Sequence, residues 1–237
     1  MKAKYKVLMV PRQSKHWYTC NGGKQVRSVT GILDIIGGDK AKSITRWSIQ
    51  QVIQVIKDEI DQITEQTFLR AFREPKRKLD EAGDWGDKVH KQVNNYALGL
   101  PVVLDDESRI GFNNVIACIK KYNLKIIMAD TPIFSVLHQF GGSFDLLLEE
   151  EDGSKTLADA KTCNGIRDSS ALQLGGYWMA FFETFGVWLD KGAILWVSKT
   201  EVGVFKLRYV NLPNAFMSFK SALDLSRNFL PKLLWRK

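Results

Sequence analysis

The feature that most constrains this chain is a sharp reversal with charge on both arms. Phe144 to Leu148 and Lys155 to Thr162 both read as strands, and the Asp152-Gly153 dipeptide between them is a strong hairpin signal. Residues two apart on a strand share a face, so Asp159 and Lys161 point the same way. Loop length decides whether Asp145 joins them. A loop of Asp152-Gly153 alone would set Asp145 opposite Ala160. A three-residue loop, Glu151-Asp152-Gly153 with Gly153 in the left-handed region, sets Asp145 opposite Asp159. The expectation is this second register, or a bulge equivalent to it.

Like charges directly opposite each other in a ladder destabilise it, so the aspartate pair needs a reason to exist. A hard divalent cation supplies one, because Mg²⁺ takes one or two protein carboxylates and fills its other positions with water and phosphate oxygens. Lys161 beside such a site would orient or help deprotonate an attacking water, or hold a phosphate as a point charge. The residues also admit a plainer reading, an acidic and solvated hairpin, since Glu149, Glu150, Glu151 and Asp152 already crowd this region.

Gly141-x₃-Asp145, Asp159-Ala-Lys161-Thr and Gln173-x₃-Tyr177, preceded by Gly86-x₃-His90 on an expected helix, resemble the PD-(D/E)XK nuclease superfamily, in its RecB-type and phage-exonuclease branch. Ser28-Val-Thr-Gly-Ile-Leu33 is similar to the opening of many phage members, so the resemblance spans roughly Val26 to Gly186. It implies an α/β fold, a mixed central sheet flanked by helices in a restriction-endonuclease-like core with an N-terminal helical elaboration. It implies that Asp145 and Asp159 bind a catalytic Mg²⁺ or Mn²⁺ with help from the Ala160 carbonyl. Lys161 would act on the water nucleophile, and His90 would be a further ligand. Gln173, Tyr177 and Arg167 would contact DNA or brace the site. The second acid is Asp159 where Glu is commoner, and Asp130 stands where relatives often carry Glu, which leaves it a supporting role behind the ligands.

The activity so implied is a metal-dependent deoxyribonuclease, an exonuclease of phage-type DNA recombination or repair. Its partners would be DNA and a single-strand annealing or other recombination protein, with an oligomer compatible. A structure-selective or nicking endonuclease on the same core, and a non-cutting DNA- or partner-binding protein, are the alternatives.

At 237 residues the chain can bury a good core, and a single domain is expected. Its parts are an N-terminal hairpin and helices over residues 1–125, a catalytic core over 126–210, and a C-terminal helix and basic tail over 211–237. No apolar run of 18 residues and no signal-peptide core are present, so the expectation is a soluble protein of the cytoplasm, the host's if phage-encoded, without a membrane partner. Cys20, Cys118 and Cys163 are odd in number and widely spaced, which suits a reducing compartment and gives no disulfide framework. Their spacing does not suit a cluster, so no iron–sulfur cluster is expected.

The net charge of +8 is unevenly distributed. Residues 1–30 hold seven Lys or Arg and no acid, residues 191–237 hold nine against two acids, and the middle therefore carries −6. Basic ends around an acidic centre suit metal-dependent cutting of a polyanion, and equally suit ordinary solvated surface with basic tails.

Along the chain, Lys4 to Val10 reads as a strand and Trp17 to Val26 as a hairpin on Asn21-Gly22-Gly23. Lys15, His16 and Trp17 could contact nucleic acid or simply pack. Ile44, Trp47, Val52, Ile53, Ile56, Ile60 and Ile63 recur at helical spacing, which predicts a buried stripe on a helix from Ile44 to Phe72 that Pro75 ends. Arg73 to Lys78 would be a basic link. Helices are expected over Ala82–Leu98, Asp106–Tyr122, Ser169–Phe185 and from Pro213 to Phe229. Short strands are expected at Lys125–Ala129, Ile133–Leu137, Ala193–Ser198 and Gly203–Tyr209. His138 sits off the line of the acids. Gly175 and Gly176 would let their helix lie close to a neighbour. Trp235 in the basic tail could serve a DNA or partner contact.

Overall fold

A computed structural model of the protein describes residues 1–12, 15–162 and 165–228. Cys163 and the basic tail with Trp235 lie outside the described residues. The chain divides into two compact units, residues 36–88 and residues 1–35 with 89–237.

The larger unit carries two sheets. β1 (Val7–Arg12), β2 (Lys15–Cys20) and β3 (Val26–Arg27) form a small antiparallel sheet whose second reversal runs through Asn21 and Gly22, both at positive φ, as the Asn-Gly-Gly turn requires. The main sheet is mixed, in the order β4 (Lys125–Ser135), β5 (Phe140–Glu149), β6 (Lys155–Lys161), β7 (Lys191–Val197), β8 (Phe205–Val210). β6 and β7 run parallel, and the other neighbours are antiparallel. α1 (Val29–Leu33), α5 (Asp168–Phe185) and α6 (Leu212–Asn228) pack into one core with the sheet, where Ile32, Phe144, Leu157, Leu174, Phe181 and Phe219 are fully buried. Ser28 caps α1 by accepting a hydrogen bond from the Gly31 N–H. α4 (Asp106–Lys121) is capped by Asp105, whose carboxylate accepts from the Ser108 N–H.

Where the chain expected two strands, β4 is one. The stretch between the two expected strands is extended as well: β4 is an edge strand, where the missing N–H of Pro132 costs no ladder bond, and Asp130 takes a φ of 38° within it. The α5–α6 contact is as close as its glycines suggest, since a Cβ on Gly175 would lie 2.3 Å from the Ala215 carbonyl carbon.

The smaller unit corrects three expectations. The helix through Ile44 ends at Asp58 as α2 (Gly38–Asp58), a 3₁₀ turn covers Ile60–Gln62, and α3 (Glu65–Ala97) begins anew. The break is written in Thr64 and Thr67, whose hydroxyls accept each other's backbone N–H as a reciprocal cap. The apolar stripe is not core: Ile44, Trp47, Val52 and Ile56 are half-buried, and Ile53, Ile60 and Ile63 are exposed. Pro75 does not end a helix. It lies inside α3, where the missing N–H leaves one turn without its bond, and Glu74–Arg77–Glu81 pairs with a Lys78–Gln51 hydrogen bond carry the helix across it. Arg73 to Lys78 is therefore helical rather than a link.

No helix among the described residues is long and apolar enough to cross a membrane.

Candidate functional site

The β5–β6 hairpin takes the three-residue loop. Leu146 pairs with Ala158, Leu148 with Thr156 and Glu149 with Lys155, and continuing that register by one residue sets Asp145 level with Asp159. The loop closes through the Glu150 N–H donating to the Ser154 carbonyl and the Gly153 N–H donating to the Glu150 carbonyl, with Gly153 at φ 78°. Thr156, Lys191 and Tyr209 donate to the Glu150 carboxylate and hold the base of the turn.

The two carboxylates stand just beyond the end of this ladder, near enough for the Asp145 charge to act on Asp159. Asp145 Oδ2 accepts the Ala160 N–H at 2.8 Å, and the same oxygen lies 3.5 Å from His90 Nδ1 on α3. Asp159 is only 1% exposed, and its Oδ2 is 2.7 Å from Lys161 Nζ. That contact is an ion pair by distance, for neither Asp159 oxygen receives a hydrogen bond of good direction. Burial pushes the Asp159 carboxyl up to about 6; Lys161 opposes the rise and the Asp145 charge adds to it.

A relay runs from Lys161 into α5. Lys161 Nζ donates to Gln173 Oε1 at 3.2 Å, and Gln173 Nε2 donates to the Tyr177 hydroxyl at 2.9 Å. Tyr177 is held neutral: burial first, then the Asp159 and Asp145 charges, raise its hydroxyl well above the ordinary tyrosine value. The glycines of the motif serve this packing. A Cβ on Gly142 would lie 2.4 Å from Tyr177 Cε1, and one on Gly141 would lie 2.4 Å from Tyr18 Cβ. Tyr18 was not marked by the sequence, although an aromatic in the second strand of an N-terminal hairpin could have been; burial and the Asp130 charge raise its hydroxyl to about 12.

Asp145, Asp159, Ala160, Lys161, His90, Gln173 and Tyr177 are thus brought together. Arg167 is not; it is the exposed N-cap residue of α5 and lines a separate cavity. Asp130 is exposed and accepts from Ser143 Oγ, outside the group of charges that acts on Asp159. His138 stands against Phe140 and Phe216, away from the acids.

Two facts test the fit of a divalent cation. A buried carboxylate oxygen without a hydrogen-bond donor, Asp159 Oδ1, is a position that a hard cation satisfies. Among the described residues, however, no three His, Cys, Asp or Glu side chains stand together as a ready-made ligand set. The residues therefore fit an open site of the Mg²⁺ kind, with two carboxylates and the remaining positions left to water and substrate, better than a closed cage. His90 reaches Asp145 in this arrangement and orients that carboxylate.

No family model and no curated protein matches the chain. Among solved structures it is similar to the crystal structure of SSO0001, at 12% identity over 78% of this chain and 84% of that chain, with a TM-score of 0.37.

Proposed function

We propose that the protein is a divalent-metal-dependent deoxyribonuclease that hydrolyses phosphodiester bonds with Mg²⁺ or Mn²⁺, acting as an exonuclease in DNA recombination or repair of the phage type. The observation that carries the reading is a buried Asp159 carboxylate with no hydrogen-bond donor, beside Lys161 and within reach of the Asp145 charge. Exonuclease rather than endonuclease rests on the sequence resemblance alone, in the Gly86-x₃-His90 and Gln173-x₃-Tyr177 elements.

Asp145 and Asp159 would hold the cation, with the Ala160 backbone beside them. When bound, that ion supplies Lewis-acid polarisation of the phosphoryl oxygen and acidifies a water. Lys161 is aimed by contacts on two sides, Asp159 Oδ2 and Gln173 Oε1, so its ammonium is placed to steady the attacking oxygen or the charge that develops on the phosphate. Tyr177 and Gln173 fix that aim from α5. His90 and the Ala160 N–H hold Asp145 in one rotamer.

End-labelled linear DNA and covalently closed DNA, each incubated with Mg²⁺ or Mn²⁺ and with chelator, test the reading. Metal-dependent loss of the linear form alone is expected. Attack on the closed form would make the enzyme an endonuclease, and inertness on DNA and RNA under every metal condition would overturn the proposal.

A further inference from the structure

The acid pair is one end of a row that continues across the sheet. Asp159 pairs with Ile194 on β7, and Ile194 with Arg208 on β8; one step along, Lys161 pairs with Trp196 and Trp196 with Lys206. Paired residues in a sheet share a face, so Lys161, Trp196, Lys206 and Arg208 stand on the face that carries Asp159. Two strand spacings separate Asp159 from Arg208, about 10 Å, or roughly three nucleotide rises along a nucleic-acid strand.

Arg167, Lys206 and Arg208 are exposed, and the two arginines lack counter-ions. Arg208 and Arg167, the latter at the start of α5, line one cavity of about 290 Å³ together with Asn211, Asn214 and Ser218. Neither guanidinium makes an ion pair or a hydrogen bond among the described residues. Among the described residues, Asp168 is the one carboxylate lining that cavity, against two arginines. Lys206 and Arg208 line the adjoining cavity, and Lys206 Nζ stands 5.7 Å from the centre of the half-buried Trp196 ring. Arginine forks fit phosphate oxygens, and an indole face among cations suits a stacked base.

We propose that Arg167, Lys206 and Arg208 form a phosphate-binding subsite that holds the backbone of the polynucleotide on the β8 side of the acid pair, with Trp196 beneath a base. The proposal rests on the nuclease reading for its substrate class. It gives the substrate a direction over the protein, past Lys161 and the half-buried Trp196 to Lys206 and Arg208 on β8, because Ile194, which lies between Asp159 and Arg208, is buried in the core.

The test is binding in chelator, where no strand is cut. Fluorescence anisotropy of an end-labelled single-stranded oligonucleotide is followed over about 50 to 200 mM salt. The Arg167→Ala/Arg208→Ala double variant is expected to bind about tenfold more weakly and to flatten the plot of log affinity against log salt by about 1 to 2. Arg208→Lys, which keeps the point charge, should retain most of the slope. Lys57→Ala/Lys220→Ala removes equal charge elsewhere and should match the wild type. Wild-type affinity and slope in the arginine double variant would overturn the proposal. So would an equal loss in the lysine control, or no oligonucleotide binding by the wild type. Hydrolysis of a small phosphodiester by the wild type with Mn²⁺ is a separate arm; inertness there ends the nuclease reading and leaves the binding result to stand.

Discussion

Lys161 Nζ lies 2.7 Å from Asp159 Oδ2, so the lysine's counter-ion is a carboxylate almost wholly withdrawn from water. Such a carboxylate is costly unless something positive repays its desolvation, and here one ammonium stands at ion-pair distance from one of its two oxygens. The neighbouring Asp145 makes the deficit larger.

Asp159→Asn keeps the shape and removes the charge. It should lower metal-dependent hydrolysis by about a thousandfold, the scale on which loss of a preorganised charge acts. Oligonucleotide binding in chelator should persist. Hydrolysis near the wild-type rate would remove Asp159 from the chemistry.

The raised Asp159 pKa gives a pH dependence with a definite sign. The folded state binds this proton more tightly than the unfolded chain, so the contribution to stability is full below the ordinary value of 3.8 and is lost as pH rises through about 6. In chelator, the stability of the wild type relative to Asp159→Asn should therefore fall between pH 4 and pH 6. Adding Mn²⁺ at pH 7 should raise the melting temperature of the wild type and not that of the variant. Denaturant titrations of both proteins at each pH would measure the difference.

Gly142→Ala drives a Cβ into the Tyr177 ring, which is buried and tied to Gln173. A cost of about 1–3 kcal/mol is expected, with reduced hydrolysis because the Lys161–Gln173–Tyr177 relay shifts. Gly175→Ala meets the backbone of α6 instead of a side chain and should cost more. Urea unfolding of the two variants ranks them.

Gly153→Ala meets nothing in space, so its cost is the left-handed backbone alone, about 1 kcal/mol, with hydrolysis kept. Pro75→Ala restores an N–H inside α3 and should stabilise that helix by about 1–3 kcal/mol. A melting temperature lowered by Pro75→Ala would show that the proline is fitted to its place.

The Asp152-Gly153 turn marked the hairpin in the sequence and left two registers for it. Gly153 takes a left-handed backbone in either a two- or a three-residue loop; the protein has the three-residue loop, and that length sets Asp145 against Asp159, because side chains alternate along a strand with period two. The spacing of Gln173 and Tyr177 likewise placed both on one helical face, where they are hydrogen-bonded. The sequence misled where a local preference was outweighed. Pro75 read as a break, yet a long helix absorbs the one missing bond. The Ile44–Ile63 stripe has helical spacing, but spacing does not say whether another element covers it, and several of its isoleucines are exposed. What only the tertiary structure decided is the burial of Asp159, the contact of His90 with Asp145 and the row from Asp159 to Arg208. Each depends on which distant segments lie side by side, and strand order and desolvation are properties of the assembled sheet that no short stretch of residues carries.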